Sequence, residues 1–109
     1  MINDNVLLIE DNIVNIISLK KSLINIGFAN IDVIRNKYEA LENYNKYQII
    51  IIDDNTLNIK DITELANNSK SNDQTIIVLS SSLDAYDNLI NNNMVSTIHS
   101  PVDLNFFLH

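Results

Sequence analysis

The chain has no cysteine, one glycine and one proline among its 109 residues. Without cysteine there can be no disulfide, thiolate metal site or cysteine nucleophile. So little glycine and proline, beside 46% hydrophobic residues, argues against a disordered chain. Positive charge is scarce too: seven Lys and Arg stand against fourteen Asp and Glu, a formal net charge of −7. No basic stripe remains to neutralise phosphates, which argues against nucleic-acid binding by this domain. No apolar run approaches the roughly 20 residues that cross a bilayer. The N-terminus also lacks the basic stretch and apolar run of an export signal. The expectation is one cytoplasmic domain spanning residues 1–109, without a membrane partner, large enough to bury about two-thirds of its unfolded surface. Asn and Ile are abundant in a way that suggests nucleotide-composition bias, and carry no mechanism in this reading.

What is present is concentrated. "YQIIIIDDN" (47–55) sets four isoleucines in a row and ends them on two aspartates. The run is too short for a membrane and too β-branched for a comfortable helix, so it reads as a strand buried on both faces. Carboxylates at its tip must meet a ligand, a cation or water, because an isolated buried charge is very costly.

Around this strand, apolar segments and amphipathic helical patterns alternate. Strands are expected near 5–9, 30–35, 48–53, 75–80 and 95–99. The first helix is expected to turn Ile13, Ile16, Ile17, Lys20, Leu23 and Ile24 to one face, with Asp11 or Asn12 as cap and Gly27 at its C-terminal end. A short helix over 37–44 places Tyr38, Leu41 and Tyr44 inward. A third, over 59–68, turns in Ile59, Ile62, Leu65 and Ala66. A weak helix over 83–93 has Leu83, Tyr86, Leu89 and Ile90 on one face. Strands alternating with helices imply a doubly wound α/β fold, a five-stranded parallel sheet covered on both sides. Its sites lie beyond the carboxyl ends of the strands. Glu10, Asp11, Asp53, Asp54, Ser80 and Ser100 all fall at that edge.

Three carboxylates, Glu10, Asp11 and Asp53, would repel one another and hold protons unless a cation intervened. Carboxylates with carbonyls and water suit Mg²⁺. A carboxylate beside Mg²⁺ is also a nucleophile towards phosphorus, and the Ser80 hydroxyl can donate to a phosphoryl oxygen. Taken alone, Glu10 and Asp11 could simply meet the first helix dipole. The ordered set with Asp53, Ser80 and Pro101 favours a site.

Over nearly its whole length the chain resembles a response-regulator receiver domain, with the flavodoxin-like strand order 2-1-3-4-5. "VLLIEDN" resembles the first strand of that family with its acidic pair, and "YQIIIID" the strand that ends in the phosphoacceptor. "TIIVLSS" and "IHSP" resemble the segments carrying the hydroxyl residue and the Lys-Pro pair. The resemblance implies Asp53 as phosphoacceptor and Mg²⁺ held by Glu10, Asp11, Asp53 and the Asn55 backbone carbonyl. It places Ser80 against the phosphoryl group. The implied partners are a histidine kinase or phosphotransfer protein and a downstream output domain, with a homodimer left open. The protein would be a signalling module of two-component phosphorelay type, not an enzyme.

Four positions depart from the family pattern. Its phosphoryl-contacting lysine falls at Ser100, removing a charge-assisted contact worth about 1.5–3 kcal/mol. Its loop proline is Leu57, a following glycine is Asp61, and the aromatic switch position is Thr97. These departures keep a second reading in view, a pseudo-receiver that binds proteins without phosphate. Strand alternation points His99 away from the site and Asp54 towards solvent, and His109 carries no signal. "IIIIDDNTL" also resembles the first motif of haloacid-dehalogenase-type phosphatases. Aligning Asp54 as that motif's second aspartate puts Ile52 at the nucleophile position, which rules the chemistry out. The last helix, "VDLNFFLH", is short or truncated. Leu104, Phe106, Phe107 and Leu108 then imply either an N-terminal receiver cut from a longer signalling protein or a partner surface.

Overall fold

The computed structural model describes residues 2–69, 72–80 and 82–98, with only the backbone at Leu83 and Ile98. Five strands, β1 (Ile2–Ile9), β2 (Phe28–Ile34), β3 (Ile49–Asp53), β4 (Thr75–Leu79) and β5 (Ser96–Ile98), form one sheet in the order β2-β1-β3-β4-β5. Every pairing is parallel. The expected order is therefore the observed one. The connecting helices are α1 (Ile13–Ile26), α2 (Lys37–Asn43), α3 (Ile59–Ser69) and α4 (Asp87–Asn91), with 3-10 turns at Tyr44–Lys46 and Leu83–Tyr86. The expected last helix, together with His99, Ser100, Pro101 and His109, lies outside the described residues.

The four isoleucines of β3 are explained by a core on each face of the sheet. Ile50 and Ile52 join Leu7, Ile9, Ile62 and Leu65 on the side of α2, α3 and α4. Ile49 and Ile51 join Val6, Leu8, Leu19 and Leu23 on the side of α1. Alternating residues feed opposite cores, so both phases of the strand must be apolar.

Helix boundaries follow local chemistry. Asn12 caps α1, its side-chain oxygen accepting from the amides of Val14 at 3.0 Å and Asn15 at 3.2 Å. Asn36 caps α2 through the Glu39 amide, and the Asn58 side chain takes the Asp61 amide in the first turn of α3. Asparagine therefore has a structural use here that composition alone did not suggest. Gly27 ends α1 at φ +120°, a conformation that side chains resist, and its carbonyl accepts the Ile2 amide at 2.7 Å. That contact extends β1 back to Ile2, three residues before the expected start.

Inward assignments in three helices are corrected. In α1 the buried residues are Ile16, Leu19 and Leu23, whereas Ile13, Ile17 and Ile24 are exposed. Isoleucine occurs on several sides of this helix, so spacing alone did not fix its rotation. Tyr38 is exposed, and Ala40 fills the inward position in α2. Ile59, at the first turn of α3, is also largely exposed. Tyr86 and Leu89 are buried as expected, but on a 3-10 turn followed by a short α4.

The rotation of α1 is testable by urea denaturation. Leu19→Ala is expected to cost about 2–5 kcal/mol by opening a cavity. Ile17→Ala, at 62% exposure, is expected to stay within about 0.5 kcal/mol of wild type. A larger loss from Ile17→Ala than from Leu19→Ala would mean that α1 presents the face first suggested by its spacing.

Candidate functional site

The carboxyl edge of the sheet gathers its polar residues because the strands end there together. Ile9 pairs with Ile34 and Ile52, and Asp53 pairs with Leu79. The next residue of β1 is Glu10, whose amide donates to the Ile34 carbonyl at 3.2 Å. Its carboxylate accepts from the Asn12 amide at 3.1 Å, which folds the chain back into α1. Glu10, Asp11 and Asp53 each offer a carboxylate oxygen within a 4.8 Å span. Glu10 is only 1% exposed and Asp53 8%, while Asp11 is open to solvent.

Burial pushes the Glu10 carboxyl up from its ordinary pKa, and the charges of Asp53 and Asp11 add to the rise. Asp53 is raised as well, first by burial and then by the charge of Asp54. Desolvation is thus the leading cause, ahead of the mutual repulsion expected from sequence. Among the described residues the only ion pair is Lys37 with Asp61, at 3.1 Å, so no lysine or arginine neutralises the cluster there. The Arg35 guanidinium reaches the backbone carbonyl of Asp11 at 2.9 Å, not its carboxylate. An uncompensated, oxygen-only, partly buried donor set fits a hard divalent cation. Glu10, Asp11 and Asp53 would hold Mg²⁺, with waters completing its shell.

The turn after β3 returns the Thr56 and Leu57 amides to the Asp53 carbonyl, at 3.0 and 3.3 Å, and leaves Asn55 exposed at the rim. Leu57 is fully buried in the core beside α3. Asp61 pairs with Lys37 across α2 and α3. Both departures from the family pattern therefore have structural roles. Thr97 pairs with Val78 and is half-buried, with no ring to move. Ser100, at the usual lysine position, lies outside the described residues.

Asp54 requires a correction. It does not point to solvent. Its amide donates to the Leu79 carbonyl at 3.3 Å, steering the side chain towards β4 and the turn before α4. There the carboxylate accepts from the Ser80 hydroxyl at 2.5 Å and from the Tyr86 hydroxyl at 3.3 Å. The Ser80 oxygen in turn accepts from the Ser82 amide at 2.9 Å. Burial, with the Asp54 charge second, pushes the Tyr86 phenol up to about 12. Strand alternation cannot see a partner 26 residues away along the chain.

No family model matches the chain, and no curated protein matches it in sequence. Solved structures do. The non-phosphorylated receiver domain of the stress response regulator RcsB from Escherichia coli superposes with a TM-score of 0.77 at 19% identity, covering 98% of this chain and 91% of that one. The receiver domain of a Pseudomonas aeruginosa sensor histidine kinase, with a magnesium ion coordinated in its active-site cleft, gives 0.72 at 18% identity, over 98% and 95%. A Burkholderia pseudomallei response regulator with a phosphorylated aspartic acid, a calcium ion and citrate gives 0.67 at 23%, over 90% and 61%. The chain has the receiver-domain fold.

The raised carboxyls make stability depend on pH. A folded-state pKa above the unfolded value means that protonation favours the folded state. The stabilisation is complete below the unfolded values of about 4 and is lost as pH rises through the raised ones. Without divalent cation, Glu10→Gln is therefore expected to melt above wild type at pH 7, with the gap closing towards pH 4. Mg²⁺ is expected to reverse this at neutral pH, adding about 2.7 kcal/mol to wild type at a hundredfold excess over Kd. Melting curves across pH, with and without millimolar Mg²⁺, provide the test. A wild-type melting temperature indifferent to Mg²⁺ would remove the cluster as a metal site.

Proposed function

We propose that the protein is a phosphoacceptor receiver domain, in which Asp53 takes a phosphoryl group from a histidine kinase or phosphotransfer protein. The observation that carries this reading is the convergence of Glu10, Asp11 and Asp53 within 4.8 Å at the carboxyl edge of the sheet. A magnesium-bound receiver and a phosphorylated response regulator among the similar folds support it.

In this reading Asp53 attacks phosphorus in line. A carboxylate oxygen forms the new P–O bond as the P–N bond of the phosphohistidine breaks, and its electron pair returns to the imidazole. Bound Mg²⁺ would offset the negative charge of carboxylates and phosphoryl oxygens brought together. Glu10 and Asp11 serve as its anchors, with the Asn55 carbonyl as the expected backbone ligand. Ser80 supplies a hydroxyl to a phosphoryl oxygen, and Ser100 stands where a lysine would have made a stronger contact. An output domain or protein downstream reads the state, and the setting is cytoplasmic.

The second reading, a pseudo-receiver that binds proteins without phosphate, draws on a specific observation. The Ser80 proton is already committed to Asp54, and Thr97 has no ring to report a change. Mass spectrometry after treatment with acetyl phosphate and Mg²⁺ distinguishes the two. A single phosphoryl adduct is expected on wild type, none on Asp53→Asn, and an adduct retained on Asp54→Asn. A wild type that never takes up phosphoryl from the donor would favour the pseudo-receiver.

A further inference from the structure

The hydrogen bonds of Ser80 have a further implication for the site. A serine hydroxyl carries one proton. Here that proton goes to the Asp54 carboxylate at 2.5 Å, and the oxygen is occupied by the Ser82 amide. The same Asp54 oxygen accepts from Tyr86, whose side chain is 2% exposed and packed with Leu89 and Val95 under α4. Asp54 immediately follows Asp53, and Ser80 follows the Leu79 that pairs with Asp53. Asp54 thus joins the mouth of the site to a buried ring outside it.

We propose that Asp54 is a positioning residue that withholds the Ser80 hydroxyl until a phosphoryl group on Asp53 competes for it, so that occupancy of Asp53 is passed to Tyr86. This inference rests on the acceptor reading of Asp53. Before loading, Ser80 and Tyr86 share one carboxylate oxygen. After loading, the Ser80 proton turns to a phosphoryl oxygen, and Asp54 keeps only the longer bond to Tyr86. That bond is then free to tighten. The ring would shift with it, moving the 3-10 turn at Leu83–Tyr86 that leads into α4.

Loss of the Asp54 charge would by itself help an anion bind nearby, so the test is a double-mutant cycle. Beryllofluoride affinity, with Mg²⁺ present, is measured by NMR for wild type, Asp54→Ala, Ser80→Ala and the double variant. With Ser80 in place, Asp54→Ala is expected to tighten binding about tenfold, the order of one released hydrogen bond. In the Ser80→Ala background the gain is expected to fall to about threefold or less, the share due to charge alone. Equal factors in the two backgrounds overturn the proposal while leaving the acceptor reading intact.

Should Asp54→Ala not fold, Asp54→Asn keeps an acceptor without the charge. It is expected to tighten binding to a lesser degree, again more in the presence of Ser80 than in its absence. The second readout is the Tyr86 ring signal in protein with ¹³C-labelled tyrosine, assigned by its loss in Tyr86→Phe. It is expected to move when wild type is loaded and to stay still when Ser80→Ala is loaded. Movement of the same size in both overturns the coupling. Loading of Asp54→Ala by a chain whose wild type refuses beryllofluoride would support the proposal. Refusal by both would remove the latch and the acceptor reading together.

Discussion

Two carboxylates held out of water at the end of a doubly buried sheet set the terms for the rest of this structure. Glu10 and Asp53 are buried because the strands carrying them are apolar on both sides, with helices covering each face. A side chain in the same location on an open sheet edge would be hydrated and ordinary. Here desolvation disfavours the charged forms, and no basic side chain among the described residues compensates. Site and core are therefore one problem: the isoleucines that stabilise the sheet are also what makes its acidic rim receptive to a cation.

The surroundings of that rim divide between two kinds of contact. On one flank, Asn12, Arg35 and the Ile34 carbonyl fix the backbone around Glu10 and Asp11. These contacts hold the acidic pair in place, and among the described residues its carboxylates meet no cationic partner. On the other flank, Asp54, Ser80 and Tyr86 form a connected polar chain running away from the rim towards α4. Chains of this kind respond as a unit when one member finds a better partner. The two sets of contacts lie on opposite flanks of β3, one beside β1 and the other beside β4.

The sheet was legible because its signals are local. A run such as "QIIIID" has a single economical interpretation, and the order of acidic and hydroxyl residues along the chain reproduces their neighbourhood at one edge. Helix rotation was harder. In α1 isoleucines occupy several sides, and which side is buried depends on Leu19 and Leu23 meeting Val6 and Leu8 of another element. Tyr38 and Ile59 failed for a related reason, since apolar residues at the first turn of a helix can lie beyond the edge of the sheet. Asp54 was misread because its surroundings come from residues far along the chain. The asparagines were undervalued because capping depends on position, not abundance, and three of them close the entry turns of α1, α2 and α3.

The strand order also governs how the molecule is made. β1 lies between β2 and β3, and its residues Val6 to Ile9 pair with Ile49 to Ile52, some forty positions later. A chain emerging from the ribosome can form β1, α1 and β2 early, but not the neighbour that closes β1. At about 5–20 residues per second, the interval from Ile34, at the end of β2, to Ile52 is about 1–4 seconds. Throughout it, an aliphatic strand with one unpaired backbone edge is exposed to other nascent chains. The four isoleucines that later anchor the fold arrive last to that edge, so the segment most useful to the finished domain is also the one on which its safe assembly waits.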